Sequence, residues 1–192
     1  MSSMIEKRTR MSSDDRRDLV LAAATTVFAE TGYSGTTTDV VAKAAGVSQP
    51  YVVRMFGTKE NLFVSVLTRA IDLVMVSFRE ALASRAPDVT VSTALGDAYY
   101  VLAADRDVLL CLMHAFTMGS HPVIGAFARD GFLDVFEYLR QEGGMSADEA
   151  QHFLAEGMLI NTVLGLRIPD NAAVNPCAAE VTEVVLGPEQ AA

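Results

Sequence analysis

The chain has 192 residues, with 15 Lys plus Arg against 24 Asp plus Glu and a formal net charge of −9. That length suits one domain, or one domain with a small appended module, and it can bury a self-sufficient core. Apolar residues at 51% and charged residues at 20% exclude a disordered chain, and 13 Gly with 6 Pro exclude a collagenous or low-complexity one.

The first 13 residues are polar and basic and hold no apolar run, so no secretory signal is expected. With only Cys111 and Cys177, a disulfide framework is also excluded. Both readings suit a cytoplasmic protein. Val20, Ala23, Ala24, Val27 and Phe28 then fall on one face of a helix from about Asp14 to Thr31, which stops at Gly32. Thr36, Thr37 and Thr38 offer hydroxyl caps for a short second helix ending at Gly46. Ser48 caps a third, with Pro50 in its first turn, where a missing N–H does no harm. Gly57-Thr58 ends that helix, and Thr58 caps a long fourth one reaching about Ser84.

Further helices are expected at about Val91–Ala104, Asp107–Met118 and Pro122–Glu142. Val108 to Ala128 lacks Asp, Glu, Lys and Arg, yet Gly119-Ser120-His121-Pro122 interrupts it. Two buried helices meeting at that break explain it better than a membrane span. Ser146-Ala147-Asp148-Glu149 is a capping box opening a helix to about Leu166, and Asn175-Pro176 opens a last one to Leu186. The expected architecture is all-α, with three short helices at one end and a larger bundle beyond.

Charge divides the same way. Residues 1–63 hold 8 basic and 7 acidic side chains, a net of +1, and the remainder holds 7 and 17, a net of −10. Only the first part can approach a polyanion without repulsion. Within it, Ala42, Gly46 and Val52 have the spacing of a helix-turn-helix: a small residue for close crossing, a glycine for the turn, and an apolar anchor for the second helix. Helical geometry turns Val52 and Phe56 inward. It turns Pro50, Tyr51 and Arg54 outward, with Gln49, Val53 and Met55 on the flanks. Such an Arg can contact guanine, a Gln adenine, and apolar groups the thymine methyl.

The block Thr26-Val27-Phe28-Ala29-Glu30-Thr31-Gly32-Tyr33 through Thr38-Asp39-Val40-Val41-Ala42-Lys43-Ala44-Ala45-Gly46-Val47-Ser48, continuing to Phe56-Gly57-Thr58-Lys59-Glu60-Asn61-Leu62-Phe63, resembles the DNA-binding domain of TetR-family transcriptional regulators. The resemblance is strong over about Asp14 to Phe63. It implies a basic arm at residues 1–13, a helix-turn-helix domain at 14–58, and a helical regulatory and dimerisation domain at 59–192. It implies that Thr37 and Thr38 meet a phosphate, that Ser48, Gln49, Pro50, Tyr51, Arg54 and Met55 form the DNA-reading set, and that Lys59 grips phosphate at a helix N-terminus. Val53 departs from the pattern, because the family usually places a Tyr there. Lys7, Arg8, Arg10, Arg16 and Arg17 form a basic lead-in.

The resemblance implies a ligand-responsive transcriptional regulator, most often a repressor, that binds a palindromic double-stranded operator as a homodimer and senses a mainly apolar small molecule. Met75, Phe78, Tyr99, Tyr100, Met113, Phe116, Phe132 and Phe136 are the candidate apolar lining, with His114, Thr117 and Asn161 as polar handles. Phe153, Leu154, Gly157, Met158, Val163, Val181, Val184 and Val185 are the candidate dimer residues, forming by resemblance a four-helix interface with a second copy. Cys111 and His114 have one helical spacing suited to zinc, but no second pair follows, so no metal and no cofactor are expected. No phosphate loop, nucleophile elbow or zinc-protease motif occurs, and no catalytic residue is expected. The alternative is a helical small-molecule carrier or interaction module with a vestigial helix-turn-helix.

Overall fold

The structure, a computed structural model, describes residues 12–187. Its elements are α1 (Ser13–Gly35), α2 (Thr38–Ala44), α3 (Gln49–Phe56), α4 (Lys59–Ser84), α5 (Val91–Ala103), α6 (Arg106–Phe116), α7 (Ile124–Gln141), α8 (Ala147–Gly165) and α9 (Pro176–Leu186), with one 3-10 turn at Pro169–Asn171. The fold is all-α, and no strand occurs among the described residues. Lys7, Arg8 and Arg10 lie outside the described residues.

Local chemistry sets most helix ends. Ser12 opens α1 through a reciprocal box with Asp15: each backbone N–H meets the other side chain at 3.0 Å. Ser146 and Glu149 repeat the device at α8, and Asn175 caps α9 through the Cys177 and Ala178 N–H groups. Hydrogen bonding of this kind holds the Asp15 and Glu149 carboxyls below their ordinary values. Thr37 and Thr58 cap α2 and α4 as expected.

Some local expectations are corrected. Gly32 does break α1, at φ +67, but one more turn follows to Gly35. Thr36 is not a cap. It is fully buried and donates its hydroxyl to the Gly32 carbonyl at 2.8 Å, occupying an acceptor that the kink leaves free. Ser48 stands at the cap position of α3 with extended backbone, but its hydroxyl makes no capping bond. The apolar stretch 108–128 is divided between α6 and α7, as its central break implies. Their facing ends are each trimmed by two residues, to Phe116 and Ile124. His121 Nδ1 accepts the Ile124 N–H at 3.3 Å, so a ring nitrogen opens α7 where Pro122 was expected to start it.

Two apolar cores follow. The first joins α1, α2, α3 and the first half of α4 to α6 and the start of α7, with Phe28, Val41, Val52, Leu62 and Phe63 inaccessible to solvent. The second gathers Val74 and Phe78 of α4, Leu95 of α5, Tyr138 and Leu139 of α7, and Phe153 of α8. Helix α4 runs through both. By length and mean hydropathy, 1.6, it is the one described helix that could cross a membrane; its side chains Leu62, Phe63, Val66, Leu67, Ala70, Val74 and Phe78 are buried in these two cores, while Leu73 and Val76 are exposed. The first core crosses residue 58, where the sequence suggests a domain boundary, because α4 and α6 supply part of its walls.

Candidate nucleic-acid interface and regulatory cavity

The short helices α2 and α3 cross at Ala42, which is buried, and turn at Gly46, whose φ of +65 favours glycine. The Val47 N–H closes the turn on the Ala42 carbonyl at 3.0 Å. Val52 and Phe56 anchor α3 inward, as their spacing implies. That leaves Pro50 and Arg54 exposed and Gln49 and Tyr51 half-buried. The Arg54 guanidinium lies over the Tyr51 ring, 5.0 Å from its centre, which limits where the arginine points. Gln49 Nε2 donates to Thr38 Oγ1 at 3.2 Å, tying the start of α3 to the start of α2. Met55, in contrast, packs partly against the first core rather than standing free. Val53 is exposed and offers no hydroxyl to replace the family's usual tyrosine.

Lys59 opens α4, where helix N–H groups favour an anion. Its ammonium donates to the Tyr33 carbonyl at 2.9 Å and lies 4.3 Å from the centre of the Tyr33 ring. Two of its three N–H donors remain for another partner. Sequence reasoning missed Tyr33. Its signal was an aromatic directly after the helix-breaking Gly32. Sequence reasoning also missed how Arg17 sits, with its guanidinium 4.5 Å from the Phe56 ring centre, bracing α3 from α1. Thr37, Thr38, Ser48, Gln49, Pro50, Tyr51, Arg54 and Lys59 are thus brought together around α2, α3 and the start of α4.

Beyond the helix-turn-helix, a cavity lies between α4, α5, α6, α7 and α8, with about 730 Å³ of empty space including its mouth. Of the candidate lining residues, Phe78, Tyr99, Phe116, Phe132 and Asn161 border this cavity. Ile71, Gly131, Phe153, Leu154, Gly157 and Met158 line it as well. Tyr99 donates its hydroxyl to Asn161 Oδ1 at 2.7 Å. Burial pushes the Tyr99 phenol up, partly offset by that hydrogen bond.

Six candidates do not line the cavity. Met75 and Phe136 pack on the second core, and Tyr100 and Met113 are half-buried elsewhere on α5 and α6. Thr117 turns back to donate to the His114 carbonyl at 2.8 Å. His114 faces α1, with Nε2 3.3 Å from the Ala29 carbonyl. The helical period allowed His114 either face of α6, and the packing of α1 chose one. Its neighbours on that seam are Asp107, which accepts from the Thr26 hydroxyl at 2.7 Å, and Cys111, whose thiol reaches the Thr25 carbonyl at 3.4 Å. Burial, then the Asp107 and Asp105 carboxylates, pushes the Cys111 thiol up to about 12. Cys111, His114 and His121 therefore serve separate packing contacts, and among the described residues no three potential ligands gather for a metal.

The dimer candidates also separate. Phe153 and Val163 are buried within the chain, Leu154, Gly157 and Met158 line the cavity, and Val181 and Val185 are half-buried. Val184 of α9 is 79% exposed, and Leu159 of α8, Leu166 just past the end of α8 and Val174 in the turn before α9 are exposed as well. Each of these helices is apolar on more than one stripe. Periodicity alone did not say which stripe the monomer uses.

A helix-turn-helix braced on a longer helical bundle is the arrangement of a DNA-binding regulator. Residues 20–66 match the family model for bacterial regulatory proteins, tetR family. The HTH-type transcriptional activator FasR of Mycolicibacterium smegmatis is 27% identical over 158 residues, covering 80% of this chain and 72% of FasR. A TetR transcriptional regulator from Legionella pneumophila has a similar fold, at 17% identity and a TM-score of 0.67, over 92% of this chain and 97% of that one. AibR in complex with isovaleryl coenzyme A and operator DNA is similar at 18% identity and a TM-score of 0.62, over 77% and 86%. Residues 20–66 thus carry a tetR-type DNA-binding domain, and the described residues have the fold of solved TetR-type regulators.

Proposed function

We propose that two copies of this chain form a two-fold dimer that binds a palindromic operator, and that a mainly apolar small molecule in the α4–α8 cavity releases it. One observation carries the reading: α4 is a single 26-residue helix that has Lys59 at the DNA-facing end and Phe78 in the cavity wall. At about 1.5 Å per residue these two lie roughly 28 Å apart along one rigid element. A tilt forced at the cavity therefore moves the reading helix, and in a dimer it changes the distance between the two reading helices. AibR, similar in fold, is seen in complex with both isovaleryl coenzyme A and operator DNA, which supports a small molecule and an operator as the two partners, though not the release step itself.

In this scheme Arg54 and Gln49 contact base edges, Tyr51, Thr37, Thr38 and Ser48 the backbone, and Lys59 a phosphate. The partner copy packs on the exposed stripe of α8 and α9 around Leu159 and Val184. Repression follows where the operator overlaps a promoter. FasR carries the name of an activator, so operator position sets the sign. On this reading the protein works in the cytoplasm and carries out no catalytic step. The test is selection of bound fragments from a random duplex pool. Enrichment of a palindrome with half-sites about 34–36 Å apart, or a little more, is expected. A carrier with a vestigial helix-turn-helix enriches none.

A further inference from the structure

We propose that the α4–α8 cavity selects an uncharged ligand that is apolar over most of its length and carries a single hydrogen-bonding oxygen, against both anions and cations. This rests on the cavity being the effector site. None of the 18 lining residues is Asp, Glu, Lys, Arg or His. A carboxylate entering it loses its water and meets no counter-charge. The aromatic rings do not form an open box for a cation either. Phe78 is packed against Tyr99, Tyr138 and Phe153, with ring centres 5.8–6.3 Å apart, and Phe116 meets Phe132 edge-to-face at 6.0 Å. Phe78, 1% exposed, is enclosed by its neighbours, and no carboxylate lines the cavity to balance a cation.

The polar end is small and specific. Asn161 is 2% exposed, and its Oδ1 is taken by the Tyr99 hydroxyl. Its amide nitrogen has only the Met158 sulfur as partner, at 3.9 Å, a weak acceptor. A buried amide with a poor partner gains most from a carbonyl, ether or hydroxyl oxygen placed against it.

Isothermal titration of the full chain with three ten-carbon probes tests this: 2-decanone, decanoate and decyltrimethylammonium, each below its micelle-forming concentration. The ketone is expected to bind at least tenfold tighter than either ion. Asn161→Leu should weaken the ketone at least tenfold while a thermal melt shows a folded protein. Should that variant not fold, Tyr99→Phe, which releases the Asn161 carbonyl, should weaken it at least threefold. An ion binding as tightly as the ketone overturns the proposal, as does indifference to these substitutions or binding of none of the three probes. The same preparation is assayed for capture of palindromic fragments. Failure there overturns the regulator reading, whereas DNA capture with an ion-preferring cavity overturns only the ligand assignment.

Discussion

Arg54 and Lys59 both bring positive charge to the proposed DNA face, but their surroundings give them different tasks. Arg54 is exposed at the end of α3 and held over Tyr51, so its guanidinium fork is presented in a narrow range of directions. Arg54→Ala is expected to cost about 1–3 kcal/mol and to relax preference at one base pair per half-site. Lys59 is anchored to the Tyr33 carbonyl at the end of α1 and keeps donors for a phosphate, which carries no sequence information. Lys59→Ala should weaken all duplexes alike and flatten the dependence of affinity on salt. Affinities on a panel of single-base operator variants at several salt concentrations separate the two. A further residue-scale outcome concerns the thiols. Cys111 is buried with its thiol held protonated, while Cys177 is exposed, so native alkylation at neutral pH should add one label, at Cys177, by mass spectrometry.

At the scale of elements, the α6–α7 junction is where backbone meets backbone. A Cβ at Gly125 would lie 2.5 Å from the Gly119 carbonyl oxygen and 2.6 Å from that of Met118, both main-chain atoms that cannot swing aside. Gly125→Ala should therefore destabilise the fold by about 1–3 kcal/mol, read from denaturant unfolding. The capping boxes give α1 and α8 an acid limit. The Asp15 and Glu149 carboxyls are lowered in the folded chain, so the stability they add is present above the ordinary carboxylate range and lost as pH falls through the lowered values. Glu149→Gln replaces the carboxylate that accepts the Ser146 N–H by a group that does not titrate and should make acid unfolding less steep. Helices α8 and α9 present the exposed stripe of Val184 and Leu159. Val184→Glu is expected to yield monomers by light scattering without lowering the monomer's own stability, since that side chain packs on nothing within the chain.

For the whole molecule, the two cores sharing α4 are the reason binding at one end is expected to be felt at the other. If a cavity ligand lowers operator affinity, operator DNA must lower ligand affinity by the same factor, and a tenfold effect needs only about 1.4 kcal/mol of differential binding. Titrating the ligand with and without operator, and the operator with and without ligand, should return one factor twice. The acidic regulatory half, net −10 over residues 64–192, repels the duplex away from the reading helices. Non-specific affinity should accordingly be low and collapse quickly as salt rises.

Sequence alone determined the helical class, most helix ends and the helix-turn-helix, because these depend on local chemistry: hydroxyl caps, a glycine at positive φ, and an apolar period read over a few turns. Arg54 was legible for the same reason, since a helix with Val52 and Phe56 buried has only one direction left for it. The faces of α6, α8 and α9 were not legible. These helices are apolar on several sides, so a 3.6-residue period cannot say which stripe meets the chain's own core. Tertiary packing turned His114 toward Ala29, placed Phe153 and Val163 inside, left Leu159 and Val184 outside, and set Tyr99 against Asn161 across 62 positions of sequence. Such contacts follow from how whole helices pack against one another, and no local pattern encodes them.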